Sequence, residues 1–291
     1  MGSFAEEEIA SQPACWRRAA ALAAEAADEF PPPGARVAIA GCGTSLFIGQ
    51  AMAVLREGAG HGETDAFAAS EVPVGRRYDA VVALSRSGTT TEVLGALDAL
   101  GAGAGATVAI TADGRSPVAA RAGRAVVLDF ADERSVVQTR FATTALALVR
   151  AVLGERLEDA AADAERALED PLPEGGRAVA FLGTGWRVGL AREAALKVRE
   201  AAGLASEAHP ALEYRHGPIS AAGSGTLVWA LGPVPDDLAA DVRAAGAALE
   251  RSARDPMAEL VRVQRFAVRE AIAAGRDPDR PPHLTRSVVL P

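Results

Sequence analysis

The feature that most constrains this chain is a strand–turn–helix pattern that occurs twice, roughly 140 residues apart. The apolar run Val37–Gly41 ends in a Gly-x-Gly turn, and a helical pattern follows from Leu46 to Leu55. The same construction returns at 178–185, and a helical stretch follows from about 187 to 203. A short apolar run that ends in such a turn and leads into a helix is typical of α/β proteins. The repeat therefore predicts an internal duplication.

Further apolar runs predict a parallel sheet in each copy. In the first copy they lie at 80–84, 106–110 and 124–128. Continuous apolar strands that alternate with helices indicate a parallel sheet covered on both faces. The second copy offers only 226–231 and, as a further candidate, 247–252, so its sheet is expected to be small.

The length of the chain, 291 residues, favours two lobes over one hydrophobic core. An acidic helical stretch and the Pro- and Gly-rich segment behind it form the natural joint. We predict an N-terminal lobe over 1–154, a linker helix and loop over 155–175, and a C-terminal lobe over 176–291. The Pro-rich polar segment 277–287 is predicted to be a loop that wraps over another part of the molecule.

The charge balance argues against a nucleic acid or an anionic membrane as partner, because Asp and Glu outnumber Lys and Arg by 38 to 30. An anionic ligand would need a local pocket. The acidic start of the chain lacks a signal-peptide pattern, and no long apolar run is free of charge, so a cytoplasmic location is expected. The two cysteines, Cys15 and Cys42, suggest neither a disulfide framework nor a zinc cluster.

Hydroxyl side chains cluster where the strand at 80–84 ends. The turn Ser85–Thr90 carries several of them directly before a helix, whose free backbone N–H groups favour an anion. A plain helix cap is the alternative, although it would need only one hydroxyl. Thr44 and Ser45 follow a neighbouring strand, so two turns would clasp one phosphate. The preceding Gly-x-Gly turn lacks the third glycine of a dinucleotide fingerprint.

An acid–base group is predicted in the second copy, where Glu193, Lys197 and Glu200 share one face of a helix. Lys197 is the only lysine of the chain. A solvated salt-bridge stripe is the alternative, but the polar segment 207–218 that follows contains two of the four histidines. An aldose–ketose interconversion needs a base for the C1–C2 proton and a second group for ring opening, which a carboxylate and a histidine can supply. An ammonium can hold the enediolate.

Five motifs then match a known family in order and spacing: Cys42–Ser45, Ser85–Thr90, Ala195–Glu200, Glu213–Pro218 and Leu284–Val288. They resemble the SIS (sugar isomerase) domain family, in particular the isomerase domain of glutamine-dependent glucosamine-6-phosphate synthase and stand-alone amino-sugar-phosphate isomerases and deaminases. The similarity runs over nearly the whole chain. It implies an α/β fold of two doubly wound parallel-sheet lobes, each with three α/β/α layers, of which the second is abbreviated.

The resemblance also implies residue roles. Glu200 would be the base for the C1–C2 proton transfer, His216 would assist ring opening across a dimer interface, and Lys197 falls on a lysine of the family's active site. The residues that would bind the phosphate or the sugar are Cys42, Gly43, Thr44, Ser45, Ser85, Arg86, Ser87, Thr90 and Val136.

Two departures from the family bear on the reaction. The chain has no glutaminase domain and no cysteine at its start, so glutamine is not expected to be its source of ammonia. The C-terminal lysine that forms an imine with the ketose is matched by Arg286, whose guanidinium cannot form that imine. Arg286 could still hold the substrate electrostatically.

The sequence therefore predicts an enzyme that interconverts an amino-sugar 6-phosphate and a ketose 6-phosphate, with or without release of ammonia. It would use no metal and no organic cofactor, and it would act as a homodimer with a shared active site. One alternative is a deglycase that splits a 6-phosphorylated sugar–amine adduct with the same groups. Another is a phosphosugar-sensing module without catalysis, although no DNA-binding segment accompanies it.

Overall fold

The computed structural model describes residues 2–290, and two parallel β-sheets organise it. The strands are β1 Val37–Gly41, β2 Thr64–Ala68, β3 Ala80–Leu84, β4 Ala106–Thr111, β5 Arg124–Val127, β6 Ala178–Gly183, β7 Ala205–Pro210, β8 Thr226–Ala230 and β9 Ala248–Glu250. The helices are α1 Phe4–Ala10, α2 Gln12–Ala26, α3 Thr44–Gly58, α4 Thr91–Gly101, α5 Pro117–Arg121, α6 Arg140–Val152, α7 Glu158–Glu169, α8 Arg187–Lys197, α9 Asp236–Ala244 and α10 Pro256–Ala273.

The strand orders are β2-β1-β3-β4-β5 in the first sheet and β7-β6-β8-β9 in the second. The predicted pair of doubly wound lobes is thus confirmed, and the second sheet is the smaller. In both sheets the chain winds outward on one side and then crosses to the other, so the direction reverses between β1 and β3 and between β6 and β8. Such a topological switch point leaves a crevice at the carboxyl ends of the two strands.

Alternate residues of the strands fill two core layers. In β1, Val37 and Ile39 pack into the layer that contains α2, α3 and α6, whereas Ala38 and Ala40 face the layer of α4. This alternation leaves no strand residue of β1 exposed, since the sheet is covered on both faces. Small alanines on one face let the helices lie close to the sheet.

The edge strands β2 and β7 were not predicted. The sequence of β7 contains Ser206, Glu207 and His209, and it resembles a polar loop because an edge strand is only partly covered. Helix α7 lies in the predicted linker, but its alanine face is buried against α10 and α2. The lobe boundaries themselves stay predictions. Among residues 2–290, no helix combines the length and the apolar character that a membrane span requires.

The two lobes meet where α3 crosses α8. Gly189 permits this approach, because a Cβ there would lie 2.5 Å from the carbonyl oxygen of Phe47 and 2.8 Å from the nitrogen of Ala51. Nearby, Arg192 Nη1 donates to Gln50 Oε1 at 2.6 Å. The helices run in opposite directions, so the N-terminus of α3, at the carboxyl edge of the first sheet, lies beside the C-terminus of α8.

Candidate active site

The turns after β1 and β6 have the same backbone requirements. A Cβ on Gly41 would lie 2.8 Å from the first turn of α3, and one on Gly183 would lie 2.4 Å from the first turn of α8. Gly43 and Gly185 have φ angles of 52° and 55°, which favour glycine. The repeated Gly-x-Gly pattern thus arises from two close strand-to-helix turns.

The predicted phosphate-binding residues lie on both sides of the β1–β3 switch point. Thr44 and Ser45 are the first residues of α3 and are buried. Across the crevice, Ser85 Oγ accepts from Gly88 N at 3.1 Å, and Ser87 Oγ accepts from Thr89 N at 3.2 Å. The fold brings these turns together, as the sequence predicted. Their binding of a phosphate stays a prediction.

Other members of the predicted set complete the rim of this crevice. Cys42 is half-buried next to Gly43, and burial raises the pKa of its thiol. Thr90 occupies the N-cap position of α4, and its side chain makes no capping hydrogen bond. Its hydroxyl is instead 3.4 Å from Ser287 Oγ. A hydroxyl in a cap position that is not used for capping remains available to other partners.

The C-terminal segment covers the hydroxyl turn, as predicted for a wrapping loop. Thr89 Oγ1 donates to Ser287 Oγ at 2.8 Å, and Thr91 N donates to the carbonyl of Val288 at 3.2 Å. The segment is thus placed so that its side chains border the switch-point crevice.

Arg86 acts differently from the other predicted phosphate ligands. Its buried guanidinium donates to the carbonyls of Ser135 at 3.1 Å, Val136 at 3.3 Å and Arg286 at 3.0 Å, and it lies 3.4 Å from Glu133 Oε2. It therefore fixes the loop that carries Val136 and joins it to the C-terminal segment. Direct contact between Arg86 and a phosphate stays a prediction.

Arg286 is held by the same loop. Its Nη2 lies 2.5 Å from Asp132 Oδ1, and its Nη1 donates to the carbonyl of Glu133. A cavity of about 600 Å³ opens beside it, and Ser87 and Thr89 form part of its wall. A cation is thus present next to the hydroxyl turn.

Two buried carboxylates that position this loop were missed. Glu133 Oε1 accepts from the Thr139 hydroxyl at 3.0 Å and from Arg140 N at 2.8 Å. Glu8, from α1, accepts from the backbone of Arg134 and Ser135. Burial raises the pKa of Glu8. Nothing in the sequence indicates that Glu8 will be buried under a loop more than a hundred residues away, so only the fold reveals its role.

Across the lobe junction, Thr44 meets the predicted acid–base residues. Lys197 Nζ donates to Thr44 Oγ1 at 3.0 Å, lies 3.5 Å from Glu193 Oε1, and forms a hydrogen-bonded ion pair with Glu200. Thr44 Oγ1 in turn donates to Glu193 Oε1 at 3.3 Å. The side chains of Glu193 and Lys197 are each 1% exposed, whereas that of Glu200 is 19% exposed. The alternative of a solvated salt-bridge stripe is therefore wrong.

The charges of this cluster follow from its burial. Burial raises the pKa of Glu193 to about 8, against the opposing effect of Lys197. Burial also works against the charge of Lys197, but Glu193 and Glu200 outweigh it and raise the pKa of Lys197. At neutral pH the cluster therefore holds a neutral Glu193 and an ammonium that is paired with Glu200.

Glu200 lies on an irregular turn. The predicted long helix is α-helical only to Lys197, and Val198–Ala202 forms a π-helical turn that ends at Gly203, with φ of 66°. Single π-turns are frequent at functional sites because they alter the direction of the side chains that follow. Glu193 belonged to the predicted face but was not assigned a role in the site.

His216 lies away from this cluster within one chain. Helix α8 starts at the carboxyl edge of the second sheet and runs back, so Glu200 lies near the amino edge, where β7 starts. The six residues of β7 then span roughly 20 Å to the carboxyl edge, and the exposed His216 follows there. The fold therefore does not bring His216 and Glu200 of one chain together.

Taken together, the fold and this junction define a class: a two-lobed, doubly wound α/β protein with hydroxyl turns at its first switch point and a buried Lys–Glu cluster beside them. Residues 33–153 match the family model described as the SIS domain. This match lies within the first lobe.

Similar proteins extend the likeness to both lobes. The chain is 26% identical over 294 residues to a glutamine–fructose-6-phosphate aminotransferase (isomerizing) of Sulfurisphaera tokodaii, with 88% of this chain and 50% of that protein covered. The corresponding enzyme of Methanothermobacter thermautotrophicus is 28% identical over 308 residues, with 88% and 52% covered. The chain thus spans about half the length of these relatives.

Among solved structures, glucosamine-6-phosphate deaminase from Thermotoga maritima has a TM-score of 0.85 and 25% identity, with 99% of this chain and 100% of that chain covered. Tagatose-6-phosphate ketose/aldose isomerase from Escherichia coli has a TM-score of 0.79 and 22% identity, with 100% and 97% covered. The second likeness concerns the fold alone.

Proposed function

We propose that this protein is a phosphosugar isomerase or deaminase that acts on an amino-sugar 6-phosphate, with Glu200 as the base for proton transfer between C1 and C2. The observation that carries the proposal is the chain of contacts from Thr44 through Lys197 to Glu200. A sugar whose phosphate lies in the hydroxyl turns of the first lobe would extend toward a carboxylate of the second. The SIS family match and the sugar-phosphate enzymes among the similar proteins support this substrate class.

The cluster supplies the groups that the reaction needs. A carboxylate removes the proton from the carbon next to the carbonyl or imine carbon, and the electron pair moves onto the carbonyl or imine heteroatom. That heteroatom takes up the proton that the neighbouring hydroxyl or amino group releases, a C=O or C=N bond forms at the neighbouring carbon, and the same carboxyl group returns its proton to the former carbonyl or imine carbon. Glu200 pairs with Lys197, and its side chain is 19% exposed, so it is partly open to a ligand. The ammonium of Lys197 lies where it can stabilise the enediolate oxygen.

Neutral Glu193 keeps the charges of the cluster balanced. If Glu193 were ionised, two carboxylates would share one ammonium, and Lys197 would be less available to Glu200 and to the substrate. Because burial raises the pKa of Glu193 to about 8, the single ammonium is left to a single carboxylate near neutral pH.

Ring opening by His216 requires a second chain in this proposal. His216 and Glu200 of one chain lie at opposite edges of the second sheet, so a shared site would combine Glu200 of one protomer with His216 of another. Co-folded mixtures of Glu200→Gln and His216→Ala chains should then recover activity that neither variant has alone. Random pairing in a two-fold dimer gives about a quarter of the wild-type sites. No recovery would contradict the shared site.

The main test is proton exchange with solvent. Wild-type protein is incubated in deuterated water with a panel of hexose and aminohexose 6-phosphates, and deuterium at C1 and C2 is followed by NMR. We expect incorporation with an aminohexose 6-phosphate. Glu200→Gln should lower the exchange rate by about 10²-fold or more while sugar-phosphate binding is retained.

The matched control is Glu174→Gln, which changes an exposed carboxylate outside the five motifs and should exchange at the wild-type rate. Wild-type exchange in Glu200→Gln would refute the role of Glu200. Tight binding of sugar phosphates by the wild type without exchange would instead indicate a phosphosugar-binding module without catalysis.

A deglycase is the second candidate function, and the cavity beside Arg286 favours it. Its wall contains Asp113, Asp129 and Asp132 beside Arg115 and Arg286. Asp132 pairs with Arg286 and Asp113 lies 3.9 Å from Arg115, whereas Asp129 has no ion-pair partner among residues 2–290 and could face a substituted amine. The same C1–C2 proton transfer would convert a 6-phosphorylated fructose–amine adduct into the C1 imine of the aldose phosphate. Water would then hydrolyse the C1–N bond of this imine and release the amine. Mass spectrometry of the released amine, with aminohexose phosphate and adduct supplied in parallel, separates the two functions.

A further inference from the structure

The second switch point, between β6 and β8, also has a crevice at its carboxyl edge. Its cavity measures about 570 Å³, and residues that follow β6, β8 and β9 line it. Three arginines, Arg187, Arg251 and Arg254, belong to this lining, and no acidic residue does. We call this cavity the arginine crevice. It opens at the carboxyl edge of the second sheet, whereas Glu200 lies near the amino edge.

Arg187 lacks partners in this crevice. Its Nε is buried and makes no hydrogen bond to any of residues 2–290, and within that part of the chain its guanidinium takes part in no ion pair. The guanidinium makes a cation–π contact with the Trp186 ring, since its Cζ lies 5.6 Å from the centroid of that ring. A buried guanidinium N–H without an acceptor is costly, and an anion would satisfy it.

The other two arginines are only partly neutralised. Arg251 pairs with Asp236 at 3.0 Å, but both side chains are exposed, so the pair is weak and readily exchanged. Arg254 pairs with Asp170 and lies 3.9 Å from Glu259 Oε2, and both carboxylates lie outside the lining of the crevice. The lining of the crevice itself thus carries three guanidinium groups and no carboxylate.

Register shows why Arg187 reaches into the crevice. Ala40 pairs with Ala83 in the first sheet, and Leu182 pairs with Ala230 in the second, so Gly232 corresponds to Ser85 and Arg187 to Ser45. A Cβ on Gly232 would lie 2.6 Å from Arg187 Cδ. The missing side chain at this position is what lets the arginine stem cross the switch point.

We propose that the arginine crevice is a second anion site, in which Arg187 binds the phosphate group of a small phosphorylated molecule. A phosphate monoester carries nearly two negative charges at neutral pH and accepts paired hydrogen bonds from a guanidinium. Pro233, Val234 and Pro256 provide an apolar wall for the rest of the ligand. This site is separate from the hydroxyl turns and does not depend on the reaction proposed above.

Inorganic phosphate is the probe for this site. In wild-type protein with ¹⁵N-labelled arginine side chains, the Nε–H signal of Arg187, assigned by its absence in Arg187→Lys, should shift and saturate as phosphate is added. Calorimetry should detect a class of phosphate site in the wild type that Arg187→Gln weakens at least tenfold. Arg243→Gln, which removes an exposed arginine of the same lobe, should bind as the wild type does.

Either of two results would overturn the proposal. One is an Arg187 signal that does not move at phosphate concentrations that saturate calorimetric binding, and this measurement needs no Arg187→Gln protein. The other is unchanged phosphate binding by folded Arg187→Gln. A signal that citrate shifts and phosphate does not would also refute the phosphate assignment.

Discussion

The two switch points of this protein have the same backbone but different side chains. After β1 and β6 the chain makes the same turn, with a glycine at the end of the strand and a second at positive φ. At the first switch point the facing residues are Ser45 and Ser85. At the second they are Arg187 and Gly232. The same backbone turn thus carries small hydroxyl side chains in one lobe and a long arginine side chain in the other.

The two crevices also differ in which lobes contribute residues to them. The crevice at the first switch point is extended by the second lobe, because the crossing of α3 and α8 places Lys197 against Thr44. The arginine crevice is lined by residues of its own lobe alone. The first crevice therefore depends on the relative position of the lobes, and the second does not.

The largest expected effect is a difference in stability between a variant of Lys197 and a variant of Arg187. Lys197→Met removes the ammonium between Glu193 and Glu200 and leaves buried carboxyl groups without their partner, so it should lower the free energy of unfolding by about 3–5 kcal/mol. Arg187→Met removes a cation that has no ion-pair partner among residues 2–290 and should change it by less than about 0.5 kcal/mol. Urea denaturation of both variants measures this contrast.

The double variant Lys197→Met/Glu200→Gln serves as the control. It also removes the carboxylate that Lys197→Met leaves without its ammonium, so it should recover part of the lost stability. Equal costs for Lys197→Met and Arg187→Met would contradict the view that only the first switch point depends on a buried ion pair.

The sequence was sufficient to predict the two parallel sheets and the polar turns, because close strand-to-helix turns and buried parallel strands leave local patterns. Glycine spacing identified both turns, and the hydroxyls of Ser85–Thr90 identified one crevice. The edge strand β7 was not found, since partial exposure allows polar residues. Phosphate binding by Arg86 stays a prediction, but its contacts with Glu133 and with the carbonyls at 135, 136 and 286 were not predicted, because such long-range contacts leave no local signal.

A smaller effect is expected from the lobe junction itself. Gly189→Ala places a Cβ against the backbone of α3, so the helices must separate, at a cost of about 1–3 kcal/mol in the free energy of unfolding. Sugar-phosphate binding at the first crevice should weaken, while phosphate binding at the arginine crevice should persist. Thermal unfolding and calorimetry measure the two effects.

Gly95→Ala is the matched control, because Gly95 lies within α4 and a Cβ there meets no atom within 4 Å. It should stabilise the protein by about 0.4–1 kcal/mol through the unfolded state. Loss of binding at both crevices in Gly189→Ala would show that the second site also depends on the junction.

The smallest expected effect is the pH dependence that Glu193 gives to the free energy of unfolding. Burial raises the pKa of Glu193 to about 8 from its ordinary 4.5, so between these values the folded protein keeps a proton that the unfolded chain has released. The stabilising contribution is complete below pH 4.5 and is lost as the pH rises toward 8, by up to about 1.4 kcal/mol per pH unit.

In Glu193→Gln this proton is no longer held by the folded protein. The free energy of unfolding of the variant should therefore fall less between pH 6 and pH 7 than that of the wild type, and the two falls should differ by up to about 1.4 kcal/mol. Urea denaturation at the two pH values measures the difference, and Glu213→Gln should keep the wild-type slope. If Glu193→Gln also keeps that slope, Glu193 is ionised in the folded protein. Two carboxylates would then share Lys197, and the first switch point would carry a net negative charge where the second carries a positive one.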